Sequence, residues 1–241
     1  MKKKQIEFFD NWSKKYLLNK VPQYLELVEQ YFEAIQNHCS FSTIKDATDL
    51  GTGTGILALT GAQKFQNLKR MTAVDVSRSM LDIVEQNWIQ NGLPPNRLKT
   101  LELDFQSLNF DTNSMDIIMA SFSMHHIPHK NKQKVMNRLF ECIKPGGCLA
   151  LGETMFDSRS SKFSIAKIYI NKAWNGLRNI GWAQCWREID FYFKIINQEG
   201  EFMISKPQWE EIIQNAGFKI AESKFTNENL TYGYIIAKKP Q

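Results

Sequence analysis

No stretch of 18 or more consecutive apolar residues occurs in this chain of 241 residues, so no membrane-spanning helix is expected. Cysteine is scarce. The four present, Cys39, Cys142, Cys148 and Cys185, show no C-x-x-C spacing, which argues against a zinc site and a disulfide framework and favours a reducing cytoplasm. Neither sign of charge dominates: 30 basic and 25 acidic side chains give +5, too mild an excess to indicate nucleic acid. Lysines 2, 3, 4, 14, 15 and 20 crowd the first residues, as a solvated helix face allows without a partner. Met1-Lys2-Lys3-Lys4 looks like the charged start of an export signal, but Gln5 to Lys15 lacks the apolar core that such a signal needs, and no export is expected. No repeat or low-complexity tract is visible, which removes solenoid and linker architectures. What is present is a 43% hydrophobic chain near the upper size of one α/β domain, long enough to bury a sizeable core.

Apolar runs alternate with amphipathic stretches along most of the length. Two helices are expected between Gln5 and His38, from Phe9, Trp12 and Tyr16 and then Leu25, Val28, Phe32 and Ile35, with a break at Pro22. Strands are expected at Ile44–Leu50, Arg70–Val74, Leu98–Leu103, Met115–Ala120 and Cys148–Glu153. Helices follow at Thr54–Phe65, after the N-cap Ser77, and at Lys132–Ile143. Asn91-Gly92-Leu93-Pro94-Pro95 ends the helix that begins at Ser77. This rhythm calls for a parallel sheet with helices on both faces and a crevice at the carboxyl ends of the strands. It breaks at about 155–205, where Phe163, Tyr169, Trp174, Trp182, Trp186, Phe191, Tyr192 and Phe193 suggest an inserted helical cap. A helix at Pro207–Asn215 and two strands, Gly217–Phe225 and Tyr232–Lys238, complete the pattern, with Asn227-Glu228-Asn229 turning the last two into an antiparallel hairpin.

The densest chemical signal is Asp49-Leu50-Gly51-Thr52-Gly53-Thr54-Gly55, which reads as strand, glycine loop and helix. Glycines at alternate positions let the backbone turn sharply and let a ligand lie against it, with the next helix aiming its free N–H groups there. A dinucleotide fingerprint G-x-G-x-x-G would place its third glycine at position 56, which is Ile56. That disfavours a nicotinamide dehydrogenase.

The D-L-G-T-G-T-G string resembles motif I of the class I S-adenosylmethionine (SAM) dependent methyltransferases. Further features match that family. Asp75 ends the second strand 20 residues after Gly55. Asp104 and Phe105 close the third. Ser121-Phe122-Ser123-Met124-His125-His126 follows the fourth, and Lys144-Pro145-Gly146-Gly147 precedes the fifth. The resemblance implies a Rossmann-like seven-stranded, mostly parallel sheet with a terminal antiparallel hairpin. It implies SAM as cofactor, held by Asp49, Gly51, Gly53, Gly55, Asp75, Val76, Met80, Asp104, Phe105 and Ser121. Asp75 would accept both ribose hydroxyls, Val76 and Met80 would flank the adenine, and Asp104 or its neighbouring amide would read the adenine amino edge. Asp75 and Asp104 also sit where turn or capping acids occur. His125 and His126 are the candidate catalytic bases, and only one is expected in the pocket because neighbours on an extended chain face opposite ways.

Phe9-Asp10-Asn11-Trp12-Ser13-Lys14-Lys15-Tyr16 is similar to the family's opening helix, which implies an N-terminal helical lid over residues 1–43 and places Tyr16 near the carboxylate end of the cofactor. The SAM-binding domain would then run 44–241. A small, apolar or aromatic acceptor is the expected substrate, since the insertion is rich in aromatic residues. Related activities in the same class are transfer RNA wobble-uridine modification and carboxy-SAM synthesis, and a non-catalytic SAM-binding subunit is the non-enzymatic alternative. A homodimer is left open.

Overall fold

The computed structural model describes residues 22–157, 166, 169–171, 173–174, 177–178, 181–197, 199–226 and 232–241. Tyr16, Phe163 and the Asn227–Asn229 connection lie outside the described residues. Elements in order are α1 (Pro22–His38), β1 (Asp46–Leu50), α2 (Ile56–Lys64), β2 (Arg70–Asp75), α3 (Arg78–Gln90), β3 (Leu98–Glu102), β4 (Met115–Ser121), α4 (His129–Cys142), β5 (Ile143–Thr154), α5 (Trp182–Asn197), α6 (Lys206–Asn215), β6 (Lys219–Phe225) and β7 (Tyr232–Lys238). The seven strands are ordered β3-β2-β1-β4-β5-β7-β6. β1 to β5 pair in parallel, and β7 runs antiparallel between β5 and β6. No described helix is long and apolar enough to cross a membrane.

Side-chain alternation explains why the sheet is covered on both faces. Ile117, Met119, Cys148, Ala150, Tyr234 and Ile236 point to one face, against α1 and α2. Their neighbours Ile118, Ala120, Leu149, Leu151, Ile235 and Ala237 point to the other, against Val135, Met136 and Leu139 of α4 and Trp209 and Ile213 of α6. Ser77 caps α3 as expected, its hydroxyl accepting the Met80 N–H. Gly92, at φ +70°, follows the end of α3 in the left-handed conformation that suits glycine.

Three features differ from the sequence reading. Residues 22–38 were expected in a lid, yet α1 is a core helix: Val28, Tyr31, Phe32 and Ile35 are buried against the sheet, and the Tyr31 hydroxyl donates to the Ala150 carbonyl at 2.6 Å. Periodicity marks an apolar face but not what covers it. Second, Lys144-Pro145-Gly146-Gly147 is an irregularity inside β5 rather than a turn before it. Ile143 already pairs with Met115, and the register shifts before Ile117 meets Cys148. Third, Cys39 and Cys148 form a disulfide across 109 residues. Cysteine spacing could not disclose it, because α1 delivers Cys39 onto β5 only through tertiary packing.

Cys142 and Cys185 remain free and buried. Thiol titration of the denatured, unreduced chain is therefore expected to count two reactive cysteines of the four, and four after reduction. A count of four without reductant would disprove the bond.

Candidate active site

The crevice is built at the carboxyl ends of β1 to β5. The glycine loop leaves β1 and is pulled across to β2 by backbone bonds: Gly51 and Thr52 N–H both donate to the Val74 carbonyl, at 2.8 and 3.0 Å. Gly51, Gly53 and Gly55 all have positive φ, at 69°, 53° and 86°. Two of them serve close packing. A Cβ on Gly51 would lie 2.3 Å from the Ser123 Cβ, and one on Gly55 would lie 3.0 Å from Val84. Gly53 differs, since among the described residues nothing lies within 4 Å of a Cβ placed there. Its outer face is the open part of the loop. Asn87 on α3 steadies the loop by donating to the Thr54 carbonyl at 3.0 Å.

Two carboxylates hold this loop from opposite sides. Asp49 is fully buried beneath it, accepting from the Thr52 hydroxyl at 2.7 Å and the Ala58 N–H at 3.1 Å. Burial, the largest influence, raises its pKa to about 7 against the pull of those two donors, and the charge of Asp75 adds to the rise. Asp49 is therefore a brace beneath the loop. Asp75 ends β2 and accepts the Gly53 N–H on one oxygen and the Ser77 N–H on the other, each at 3.0 Å. Val76 and Met80 are buried just beyond it. At the tip of β3, Asp104 caps the short turn Phe105–Ser107 by accepting the Gln106 N–H at 3.0 Å, and the Phe105 ring reaches the Gly51 side of the loop. Ser121 ends β4, with its hydroxyl 3.4 Å from the Tyr232 hydroxyl.

Past Ser121 the chain turns back sharply. Phe122 takes φ +51°, a strained value for a residue with a Cβ, and stacks on Tyr232 with ring centroids 4.6 Å apart. Met124–His126 then forms a single 3-10 turn. The histidines thus sit on a turn instead of an extended chain, and their rings are neighbours, 4.1 Å between centroids. Both face the same cluster, which replaces the expectation that only one would.

That cluster is organised by Glu153 of β5, wholly buried. One of its oxygens accepts the Ser123 and Met124 N–H groups at 2.8 and 2.6 Å, and the other lies 2.6 Å from His125 Nδ1. On its far side, His125 Nε2 lies 3.4 Å from Glu201 Oε2. Burial disfavours the His125 imidazolium, but Glu153 first and Glu201 second outweigh it, so the pKa is raised. His126 is pushed down to about 3, by burial first and then by the charge of His125. Its Nδ1 lies 2.9 Å from the Gly200 carbonyl. Lys132 is buried nearby and donates to the Met124 carbonyl at 2.8 Å. Sequence reasoning missed the parts played by Glu153 and Glu201. The available signal was Leu151-Gly152-Glu153: an acid at the end of a buried apolar strand must find partners.

The inserted segment docks on this turn. The Phe202 N–H donates to the His125 carbonyl, and Phe156, Tyr169, Ile195 and Met203 form a small core that Tyr192 flanks. Trp174, Trp182, Trp186 and Phe193 do not join it and are more than half exposed.

This sheet order and glycine loop coincide with a sequence match. Residues 47–147 match the model of a family described as a methyltransferase domain. The chain carries a class I SAM-dependent methyltransferase domain. SAM is its methyl donor. The methyltransferase is similar to an uncharacterized methyltransferase of Oceanobacillus iheyensis, 26% identical over 162 residues that cover 65% of this chain and 70% of the relative. It is also similar to the ubiquinone/menaquinone biosynthesis C-methyltransferase UbiE of Brucella abortus, 25% identical over 182 residues, 74% of this chain and 64% of the relative. Among solved structures, a putative sarcosine dimethylglycine methyltransferase from Galdieria sulphuraria shares the fold with a TM-score of 0.67 at 15% identity, covering 90% of this chain and 85% of that one. A SAM-dependent methyltransferase from Aquifex aeolicus does so with a TM-score of 0.63 at 15% identity, covering 95% and 97%.

The two kinds of glycine predict different costs. Gly51→Ala is expected to destabilise the methyltransferase by about 1–3 kcal/mol more than Gly53→Ala in urea denaturation, since both strain φ but only the first overpacks. Asp49 predicts a pH effect. Its folded pKa, about 7, exceeds the unfolded value near 3.8, so its contribution to stability is fully present below about pH 4 and is lost as pH rises through 7. Asp49→Asn should flatten the stability curve between those limits, and an unchanged slope would refute the buried-carboxylate account.

Proposed function

We propose that this methyltransferase moves the methyl group of SAM to a small acceptor with an apolar or aromatic body. The observation that carries the reading is the pairing of the open face of Gly53 with the Asp75 carboxylate bound to its N–H, at the switch point between β1 and β4. These residues fit an adenosine-bearing donor. Gly53 supplies a surface that no described side chain covers, and α2 begins just beyond it at Ile56 with no side-chain cap from Gly55, its Ala58 N–H being taken by Asp49. Asp75 is the acceptor for ribose hydroxyls in this proposal. Val76, Met80 and Phe105 offer apolar walls for the adenine, and Asp104 or the amides it orders reads its edge. Gly51 and Gly55 keep the loop in shape, Asp49 braces it from below, and Ser121 borders the donor from β4. Tyr16 keeps the role that the sequence resemblance implies.

The donor supplies an electrophilic methyl group on a sulfonium. The chain contributes chiefly position, which in favourable cases lowers a barrier by about 7–11 kcal/mol. The acceptor side lies at the ends of β4 and β5, between the His125 turn and the docked insertion. Phe202, whose backbone docks on the His125 turn, supports an apolar or aromatic acceptor. The limits that go with this use are 44–241 for the SAM-binding unit, with α1 packed on it as a core helix, and about 155–205 for the acceptor cap. His125 is clamped between Glu153 and Glu201, and the proposal gives it no free base role.

Calorimetric titration with SAM, S-adenosylhomocysteine and NAD tests the donor site. Both sulfur nucleotides should bind and NAD should not. Asp75→Asn should weaken SAM at least tenfold, about 1.4 kcal/mol, with the fold intact by circular dichroism. NAD binding, or SAM affinity untouched by the substitution, would overturn the assignment. The acceptor class is tested by scoring S-adenosylhomocysteine release across phenolic, carboxylic and amine small molecules and unmodified transfer RNA; turnover confined to the RNA would reject a small acceptor.

A further inference from the structure

The end of β4 and the segment after the insertion bring two imidazoles and a carboxylate together in a buried place. One donor atom each from His125, His126 and Glu201 lies within 4.8 Å of the others. Both rings are oriented by an acceptor on Nδ1: the Glu153 carboxylate for His125 and the Gly200 carbonyl for His126. Those contacts place a proton on each Nδ1 and make Nε2 the ligand nitrogen of each ring, in place of the proton that the two carboxylates favour on His125. Carboxylate and carbonyl partners on the second nitrogen are what metal-bound histidines require of their surroundings.

Distance and charge point the same way. His125 Nε2 and Glu201 Oε2 are 3.4 Å apart, and among the described residues this buried oxygen has no hydrogen-bond partner. Two bonds of about 2.0–2.1 Å meeting near a tetrahedral angle put their donor atoms roughly 3.3–3.4 Å apart, so the gap suits a shared cation better than a shared proton. Glu153 and Glu201 bring two carboxylates into the cluster, while the Lys132 ammonium is spent on the Met124 carbonyl, 4.7 Å over the Trp209 ring, and the Lys194 ammonium acts on Glu201. A divalent ion there takes the place of the proton on His125 Nε2 and keeps positive charge between the two carboxylates.

We propose that His125, His126 and Glu201 bind one divalent first-row transition-metal ion, with Glu153 as the outer partner that orients His125. Two imidazole nitrogens and one carboxylate suit zinc, cobalt, nickel or iron(II) and not magnesium or calcium, which take oxygen ligands. Three protein donors leave a position for water or for an oxygen of the acceptor. An acceptor hydroxyl bound there gives up its proton more readily, which suits a site whose histidines are otherwise committed. The proposal concerns the ion alone and stands whether or not the acceptor is aromatic.

The test uses the full-length protein stripped with a chelator and then titrated with cobalt(II), read by its visible d–d absorption, with zinc(II) as competitor. One equivalent per chain is expected, at micromolar affinity or tighter, with no response to magnesium. Glu201→Gln should weaken binding at least tenfold, as should His126→Ala. His38→Ala, whose ring pairs with Glu222 on β6, and the free-thiol changes Cys142→Ser and Cys185→Ser should not. Zinc should raise the melting temperature of the wild type and leave that of Glu201→Gln unmoved. In chelator, Glu201→Gln should keep the wild type's circular dichroism and a cooperative melt, which separates loss of the ion from loss of the fold. Absence of stoichiometric binding, or binding that survives both Glu201→Gln and His126→Ala, would overturn the proposal.

Discussion

The Glu153 carboxylate is the constraint on which the crevice depends. A charge buried at the end of a central strand is tolerable only when every lone pair is used. Here it is satisfied by two backbone amides and a histidine, all drawn from the chain just after β4. Those bonds hold the Ser123–His126 turn in place and offset the strained backbone of Phe122. From there the order passes to the glycine loop, since the Ser123 hydroxyl donates to the Leu50 carbonyl and its Cβ sits in the space that glycine at 51 leaves empty. Donor side and acceptor side thus share one small set of contacts, and a change in Glu153 reaches both.

Much of this was legible in the amino-acid sequence because it is local. Strand alternation, the Ser77 cap, the Asn91-Gly92 stop and the D-L-G-T-G-T-G loop each declare themselves within about ten residues, and their rhythm calls for the parallel sheet, though not for its strand order. Gly51, Gly53 and Gly55 could be located in the same way, but not told apart: only the approach of Ser123 and Val84 shows that two of them serve packing, while no described residue approaches the third. The His125 cluster was half legible. Its histidines stand together in the chain, but Glu153 and Glu201 arrive from 28 and 76 residues further on, and no local pattern links them. The same limit applied to α1, whose apolar face reads equally well as a lid or as a core helix.

The inserted segment illustrates a different limit. Its aromatic content suggested glue or a pocket wall, yet the residues divide. Tyr169 and Tyr192 turn inward to the small core at Phe156, while Trp182, Trp186 and Phe193, spaced at multiples close to a helical turn along α5, line an outer face. Composition gave the character of the segment and could not assign its sides. The insertion is nonetheless tied to the site by backbone bonds, from Phe202 to His125 and from Lys206 to Phe156, which place Glu201 beside the histidines.

The Cys39–Cys148 bond makes a covalent ring of the chain between those residues, and residues 47–147, the stretch that matches the methyltransferase family, lie wholly inside it. β1 to β4, the glycine loop and the histidine turn are all carried on this ring, while the insertion and the final hairpin hang from it as a tail. A single backbone scission anywhere within the ring would leave both fragments joined through sulfur, whereas one between Cys148 and the final strands would release the tail.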